Sequence, residues 1–381
     1  MHFSVESFPH FVSEDICLQF NRVWQRLAEP GYWWTAQQRK LIVEAMRAAK
    51  PRPVYDRQRE AVSNLSHEES SQEYLSPLLL DTIERVSTES GQLDGEWCKS
   101  VCERVGEGAY VELVALIILV LPIDRFCMAL GRDLQPLPEP QNGEPLRAYP
   151  EDIVANGAWV RQTKSAVANK ELVNVSRALS ICPIENGLRR DLVDAMYMEG
   201  HSFFDKLWHR KSLSRTQLEI AATRTSVINR CFYCANGHTM ILDMAAKASG
   251  DAVDLKSPQG QEVNDIGVEH GELILDYTEF ANREPEKAYE QHAKLIEVLG
   301  ERAAMELAAV VAIFNGLNRT SDPTGVPMEE TLMAYGRLGN KTESLGLAEM
   351  TGINNTERPS LLQSIWILVK FQIRRIMGEG Q

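Results

Sequence analysis

No stretch of this sequence is apolar for long enough to cross a bilayer. The longest apolar run, Leu113 to Ile123, is flanked by Glu112 and Asp124 and interrupted by Pro122. It is well short of the ~20 residues that a spanning helix needs. It reads as a buried core helix, and no membrane association is expected. The N-terminus, Met1 to Pro9, lacks the basic and apolar regions of a secretory leader. Positive charge is also scarce: 40 Lys and Arg stand against 53 Asp and Glu, a formal net charge of -13. Such a chain repels phosphate backbones, which argues against general nucleic-acid binding. Nor do the cysteines form the even set of a secreted disulfide scaffold. There are 7 in 381 residues: Cys17, Cys98, Cys102, Cys127, Cys182, Cys231 and Cys234. A cytoplasmic location is expected, where most of them serve as small buried hydrophobes. Only Cys231 and Cys234 have a spacing that points to chemistry.

Sustained two-residue alternation is missing too, so strands should be few and the fold class is expected to be all-α. Apolar residues recur at helical spacing in Thr35 to Ala49, Leu78 to Ser87, Glu107 to Ala129, Asp191 to Lys206, Ser214 to Ile228 and Cys234 to Ala248. They recur likewise in Glu269 to Asn282, Lys287 to Leu299, Arg302 to Leu317 and Ser360 to Ile376. Many of these segments follow Ser, Thr, Asp or Asn, as helices tend to. Prolines in Leu134 to Pro150 deny helix and favour extended, semi-rigid chain. A second loop, Ser249 to Asn264, is rich in Gly, Asp, Ser and Pro.

The two halves share a pattern. Leu80-Asp81, Glu112-Leu113, Asp124-Arg125 and Gly131 recur in order as Leu275-Asp276, Glu306-Leu307, Asn318-Arg319 and Gly325. Upstream, the segment from Thr35 matches the segment from Ser214 in phase. On that register Lys40 stands where Glu219 stands, and Arg52 and Tyr55 stand where Cys231 and Cys234 stand. A duplication is the favoured reading, with the chemistry lost from the first copy. The expected units are 1–133, a Pro-rich linker at 134–160, an intact unit at 161–340 and a C-terminal helical extension at 341–381. The apolar residues of that extension, among them Ile365, Trp366, Leu368, Val369, Phe371 and Ile373, either cover a subunit interface or close the core, with packing the preferred reading.

The segment Cys231-Phe-Tyr-Cys234-Ala-Asn-Gly-His238 carries the chemistry. In a helix starting near Cys231, the two cysteines and His238 share one face. Cysteines one turn apart at a helix start can close a disulfide with little backbone movement. The partial positive charge of the helix N-terminus stabilises a thiolate, and His238 lies within a turn to take its proton. Glu219, among Leu218, Ile220, Ala221 and Ala222, reads as a carboxylate near a buried surface that needs a partner such as a histidine. A c-type haem site is excluded, because His would have to follow the second cysteine directly. A zinc site on Cys231, Cys234, His238 and Glu219 and an inert buried pair remain open alternatives. A thioredoxin-type fold would need strands that the pattern does not show. Cys98, Cys102 and Cys127 read as structural. No cofactor and no resident metal is called for.

The Glu219, Cys231, Cys234 and His238 spacing, with the surrounding Ser-Val-Ile-Asn-Arg-Cys-Phe-Tyr-Cys-Ala-Asn-Gly-His, resembles the alkyl hydroperoxidase D-like branch of the carboxymuconolactone decarboxylase superfamily. The likeness covers about residues 165–330 and the first half only weakly. It implies two tandem alkyl hydroperoxidase D-like helical domains and a homo-oligomer. It implies a peroxidase in which Cys234, taken as the more enclosed cysteine, becomes a sulfenic acid and Cys231 condenses with it. Glu219 and His238 would form the proton relay. A hydroperoxide is the implied substrate, and a thiol, lipoyl-bearing or thioredoxin-like reductant the implied partner. A general thiol-disulfide oxidoreductase, a lactone decarboxylase and a helical scaffold are the alternatives.

Overall fold

The computed structural model describes residues 2–51, 62–66, 74–169, 172–199, 211–339, 341–347 and 359–376. These residues form an all-α protein whose only sheet, among the described residues, is one short antiparallel ribbon. The helices of the first half are α1 (Glu14–Leu27), α2 (Ala36–Ala48), α3 (Pro77–Thr88), α4 (Gly95–Val105) and α5 (Glu107–Ala129). Strands β1 (Ile153–Val154) and β2 (Gln162–Thr163) follow, then α6 (Lys164–Ala168), α7 (Pro183–Met196), α8 (Arg215–Ile228) and α9 (Phe232–Ser249). The remainder is α10 (Gly271–Arg283), α11 (Ala288–Leu299), α12 (Glu301–Thr324), α13 (Glu330–Leu338), α14 (Lys341–Ser344) and α15 (Leu361–Ile376).

Helices α5 and α12 cross at the centre of the core. The run Leu113 to Ile123 is buried on nearly all sides, which explains why α5 shows no polar face. At the crossing, Gly316 of α12 lies against Pro122 of α5; a Cβ added there would come within 2.5 Å of the Pro122 ring and 3.0 Å of the Ile118 carbonyl. These two positions correspond in the register expected from the sequence. Other contacts can be compared in that register. Glu112 accepts the Trp33 N–H (2.6 Å) just ahead of the Thr35 cap of α2, and Glu306 accepts the Ser212 N–H (2.7 Å) just ahead of the Ser214 cap of α8. Arg47 of α2 grips Asp124 at 2.9 and 2.8 Å, and in the second half Asn318 donates to Ser226 at 3.1 Å.

Some expectations shift. The helix expected over Asp191 to Lys206 is α7, starting at Pro183. Proline suits the first helical position because the missing N–H needs no partner there. Residues 200–206 of that expected helix lie outside the described residues. The final helix of the repeat continues past Leu317 to Thr324. The stretch Leu134 to Pro150 has no helix or strand and is fastened to the first half. Gln141 and Leu146 donate to the carbonyls of Ala28 and Gly31 (2.8 and 3.1 Å), and Trp24 Nε1 donates to Pro136 O (2.9 Å). The C-terminal helix does not close the core as expected. α15 packs on α13, but Leu362 and Trp366 are 79% and 58% exposed, and Ile365, Val369 and Ile373 also face outward.

Candidate functional site

Local sequence sets up the site. Ser214 and Gln217 form a reciprocal cap at the start of α8 (3.1 and 2.9 Å), which places Glu219 in the following turn. α8 ends at Ile228 and, two residues on, the left-handed backbone of Arg230 (φ 58°) lets the Cys231 N–H return to Ser226 O at 3.0 Å. That reversal makes Cys231 the cap of α9, its sulfur accepting the Cys234 N–H at 3.3 Å. Cys234 lies in the first turn of α9 and His238 one turn further on.

Antiparallel packing of α8 on α9 brings the expected partners together. Glu219 Oε2 lies 2.8 Å from His238 Nδ1. Oε1 of the same carboxylate faces Arg215 Nε at 2.8 Å and accepts a hydrogen bond from the Tyr197 hydroxyl. Burial alone would push the Glu219 carboxyl up. The Arg215 guanidinium, the His238 ring and the hydrogen bonds from His238 and Tyr197 outweigh it and hold the carboxyl below the usual glutamate range. The His238 ring is edge-on to Phe314 (4.6 Å between centroids) and to Tyr197 (6.1 Å). The two sulfurs also converge: Ser321 Oγ of α12 is 3.1 Å from Cys231 Sγ and 3.7 Å from Cys234 Sγ. Both Glu219 oxygens are thus engaged, one by His238 and the other by Arg215 and Tyr197. Among the described residues, no group of three or more His, Cys, Asp or Glu is arranged to hold a metal.

Both cysteines are buried, Cys231 at 0% and Cys234 at 3% exposure, and burial does not separate them. Burial, then the hydrogen bond and charge of Cys234, raise the Cys231 thiol well above the ordinary range. A second layer lies behind it. The Asp322 carboxylate accepts the Ser90 hydroxyl of the first half at 3.5 Å, and burial pushes its carboxyl well above the usual range. Arg319 donates to the carbonyls of Ser87 and Asn315 (2.6 and 2.7 Å). Gly91 sits where any Cβ would strike the Arg230 and Asn229 carbonyls (2.6 and 2.7 Å), so the first half seals the turn before Cys231.

Sequence reasoning missed Arg215, Tyr197, Ser321 and Asp322. Arg215 precedes Glu219 by one helical turn and was findable as an i, i+4 pair. The others come from distant segments and leave no local signal. Lys40 of α2, matched to Glu219 in the expected register, is partly buried and lies 3.8 Å from the exposed Glu139. Arg52 and Tyr55 lie outside the described residues. Cys17 and Cys127 are buried thiols pushed up to about 11 and about 12 by burial, which suits a structural role. Cys98 is buried and Cys102 partly buried, one helical turn apart on α4.

Residues 200–254 match the model of the Carboxymuconolactone decarboxylase family. The matched span holds Glu219, Cys231, Cys234 and His238 together; its first part, 200–210, lies outside the described residues. No curated protein and no solved structure matches the chain. No helix among the described residues is long and apolar enough to cross a membrane.

Proposed function

We propose that the protein is a thiol-dependent peroxidase of the alkyl hydroperoxidase D-like kind. The observation that carries this reading is the buried Glu219–His238 contact at 2.8 Å, one helical turn from a cysteine whose partner sulfur caps the same helix. Glu219 holds Nδ1 and so fixes the ring, leaving Nε2 to exchange a proton with Cys234. The helix N-terminus favours the resulting thiolate. The attacking sulfur in this reading is Cys234, one helical turn before His238, and Cys231 at the cap is the resolving sulfur. Its thiolate attacks a peroxide oxygen and the O–O bond breaks. The alcohol leaves with a proton from His238, and Cys234 becomes a sulfenic acid. Cys231 then attacks that sulfur; the S–S bond forms, the S–O bond breaks and water departs. A thiol, lipoyl-bearing or thioredoxin-like reductant restores the dithiol.

The test is a pair of variants. Cys234→Ser should abolish peroxide consumption, and Cys231→Ser should leave a sulfenic acid that dimedone traps. Absence of a dimedone adduct in the second variant would sink the peroxidase reading. A general thiol-disulfide oxidoreductase would use the same sulfurs. The near-complete burial of both favours a small peroxide over a protein disulfide, and relative rates with the two substrates separate the readings. The family match keeps a lactone decarboxylase as a further alternative, which would survive loss of both cysteines.

We also infer a tandem duplication with units 1–133 and 161–340, the first lacking the chemistry. Support comes from the paired Glu112/Glu306 and Asp124/Asn318 contacts and from the Pro122–Gly316 crossing. The outward apolar face of α15 supports a homo-oligomer; a strict monomer in light scattering would count against it.

A further inference from the structure

We propose that Arg189 binds the carboxylate of an acidic, otherwise apolar hydroperoxide beside Cys234. The inference rests on the peroxidase reading above and names its substrate class; the binding arm of its test is independent of that reading.

Arg189 lies on the inner face of α7. Leu192 and Met196 follow it at i+3 and i+7 and are buried, and Arg189 itself is 2% exposed. Four arginines are buried among the described residues. Arg39 is paired with Glu112 and Glu185, Arg215 is paired with Glu219, and Arg319 donates to two carbonyls. Arg189 differs from all three. Its Nε donates to the Asn186 amide oxygen at 3.3 Å, and its Nη2 has no hydrogen-bond partner among the described residues. Burial draws its pKa down only to about 10, which leaves it a cation at neutral pH. A buried cation without a counter-ion is costly, and a guanidinium does not shed its charge as a lysine can. A bound anion removes that cost.

Hydrogen bonds tie this residue to the cysteine helix. Asn186 Nδ2 donates to Ser176 O at 3.0 Å, within the single turn Asn174–Arg177. The Val175 N–H of the same turn donates to the Tyr233 hydroxyl at 3.4 Å, and Tyr233 directly precedes Cys234 in α9. At the other end of α7, Tyr197 donates to Glu219, the partner of His238. α7 therefore flanks the site, with Arg189 about two turns before Tyr197. The nearby cations offer no second charge to a ligand: Arg177 donates to the carbonyls of Asn169 and Leu172, and Arg190 is exposed. One guanidinium matches one carboxylate. Leu188, Leu192, Met196 and the Tyr233 ring are buried and apolar, which suits a hydrocarbon body on that acid.

The test has two arms. Sodium hexanoate and hexanol are titrated into the reduced protein by calorimetry at matched ionic strength. Hexanoate should bind at least about tenfold more tightly, the size of one charge-assisted hydrogen bond. Arg189→Met keeps an unbranched chain without the charge and should erase that preference. In the second arm, hexanoate carrying a terminal hydroperoxide is compared with hexyl hydroperoxide. The wild type should favour the acid, and Arg189→Met should lower the ratio of the two kcat/KM values about tenfold. Hexanoate bound no better than hexanol by the wild type would overturn the proposal even if the variant fails to fold. So would a variant that keeps the preference, or one whose kcat/KM ratio is unchanged. Hexanoate binding that depends on Arg189, with neither hydroperoxide turned over, would support the carboxylate site and sink the peroxidase reading instead.

Discussion

His292 should make the protein acid-sensitive by an amount that can be worked out. Its ring, on α11, is at 0% exposure, and neither ring nitrogen has a hydrogen-bond partner among the described residues. Its aromatic neighbours are Tyr277 and His10, with centroids 6.4 and 5.7 Å away. Burial, and secondarily the charge of His10, depresses its pKa from the ordinary 6.5 to about 4. The unfolded chain takes up this proton near 6.5 while the folded protein resists it. The stabilising contribution is therefore complete above 6.5 and is lost as pH falls through the window down to about 4. At ~1.36 kcal/mol per pH unit the ceiling is roughly 3 kcal/mol, of which about 2 kcal/mol is gone by about pH 5. His292→Phe removes the titration while keeping a ring in the space. Its packing cost, about 1–3 kcal/mol, is the same at every pH and cancels in the comparison. Urea unfolding of both proteins at about pH 8 and about pH 5 is the assay. The wild type should lose about 2 kcal/mol more than the variant between the two conditions. Equal losses would refute the claim that a neutral, enclosed His292 supports the fold.

Two further outcomes are expected. Glu219→Gln keeps the shape of the site but removes the charge that faces Arg215 and His238. Peroxide turnover should fall about a hundredfold and stability by about 3 kcal/mol, as for breaking a buried ion pair; unchanged turnover would exclude the proton relay. Gly316→Ala puts a methyl group within 2.5 Å of Pro122, so α5 and α12 must move apart. A loss of about 1–3 kcal/mol in denaturant melts is expected, and a neutral result would show that the crossing yields.

Much of the architecture was legible in the sequence. The caps at Thr35 and Ser214, the apolar run into α5 and the left-hand turn into α9 are local decisions, made by residues within a few positions of one another. α7 was misplaced because its apolar pattern is weak and the first-position signal of Pro183 was not used. The outward face of α15 was misjudged because amphipathicity states that a helix has an apolar side and does not state whether anything covers it.

By itself the sequence determined the helical phase and the Cys231, Cys234, His238 spacing on one helix, because backbone hydrogen bonding sets both over short range. Only the tertiary structure decided that Tyr197, Ser321, Asp322 and, from the other half, Ser90 surround those groups. Their meeting depends on how α8, α9 and α12 pack, and packing joins residues that no local periodicity connects.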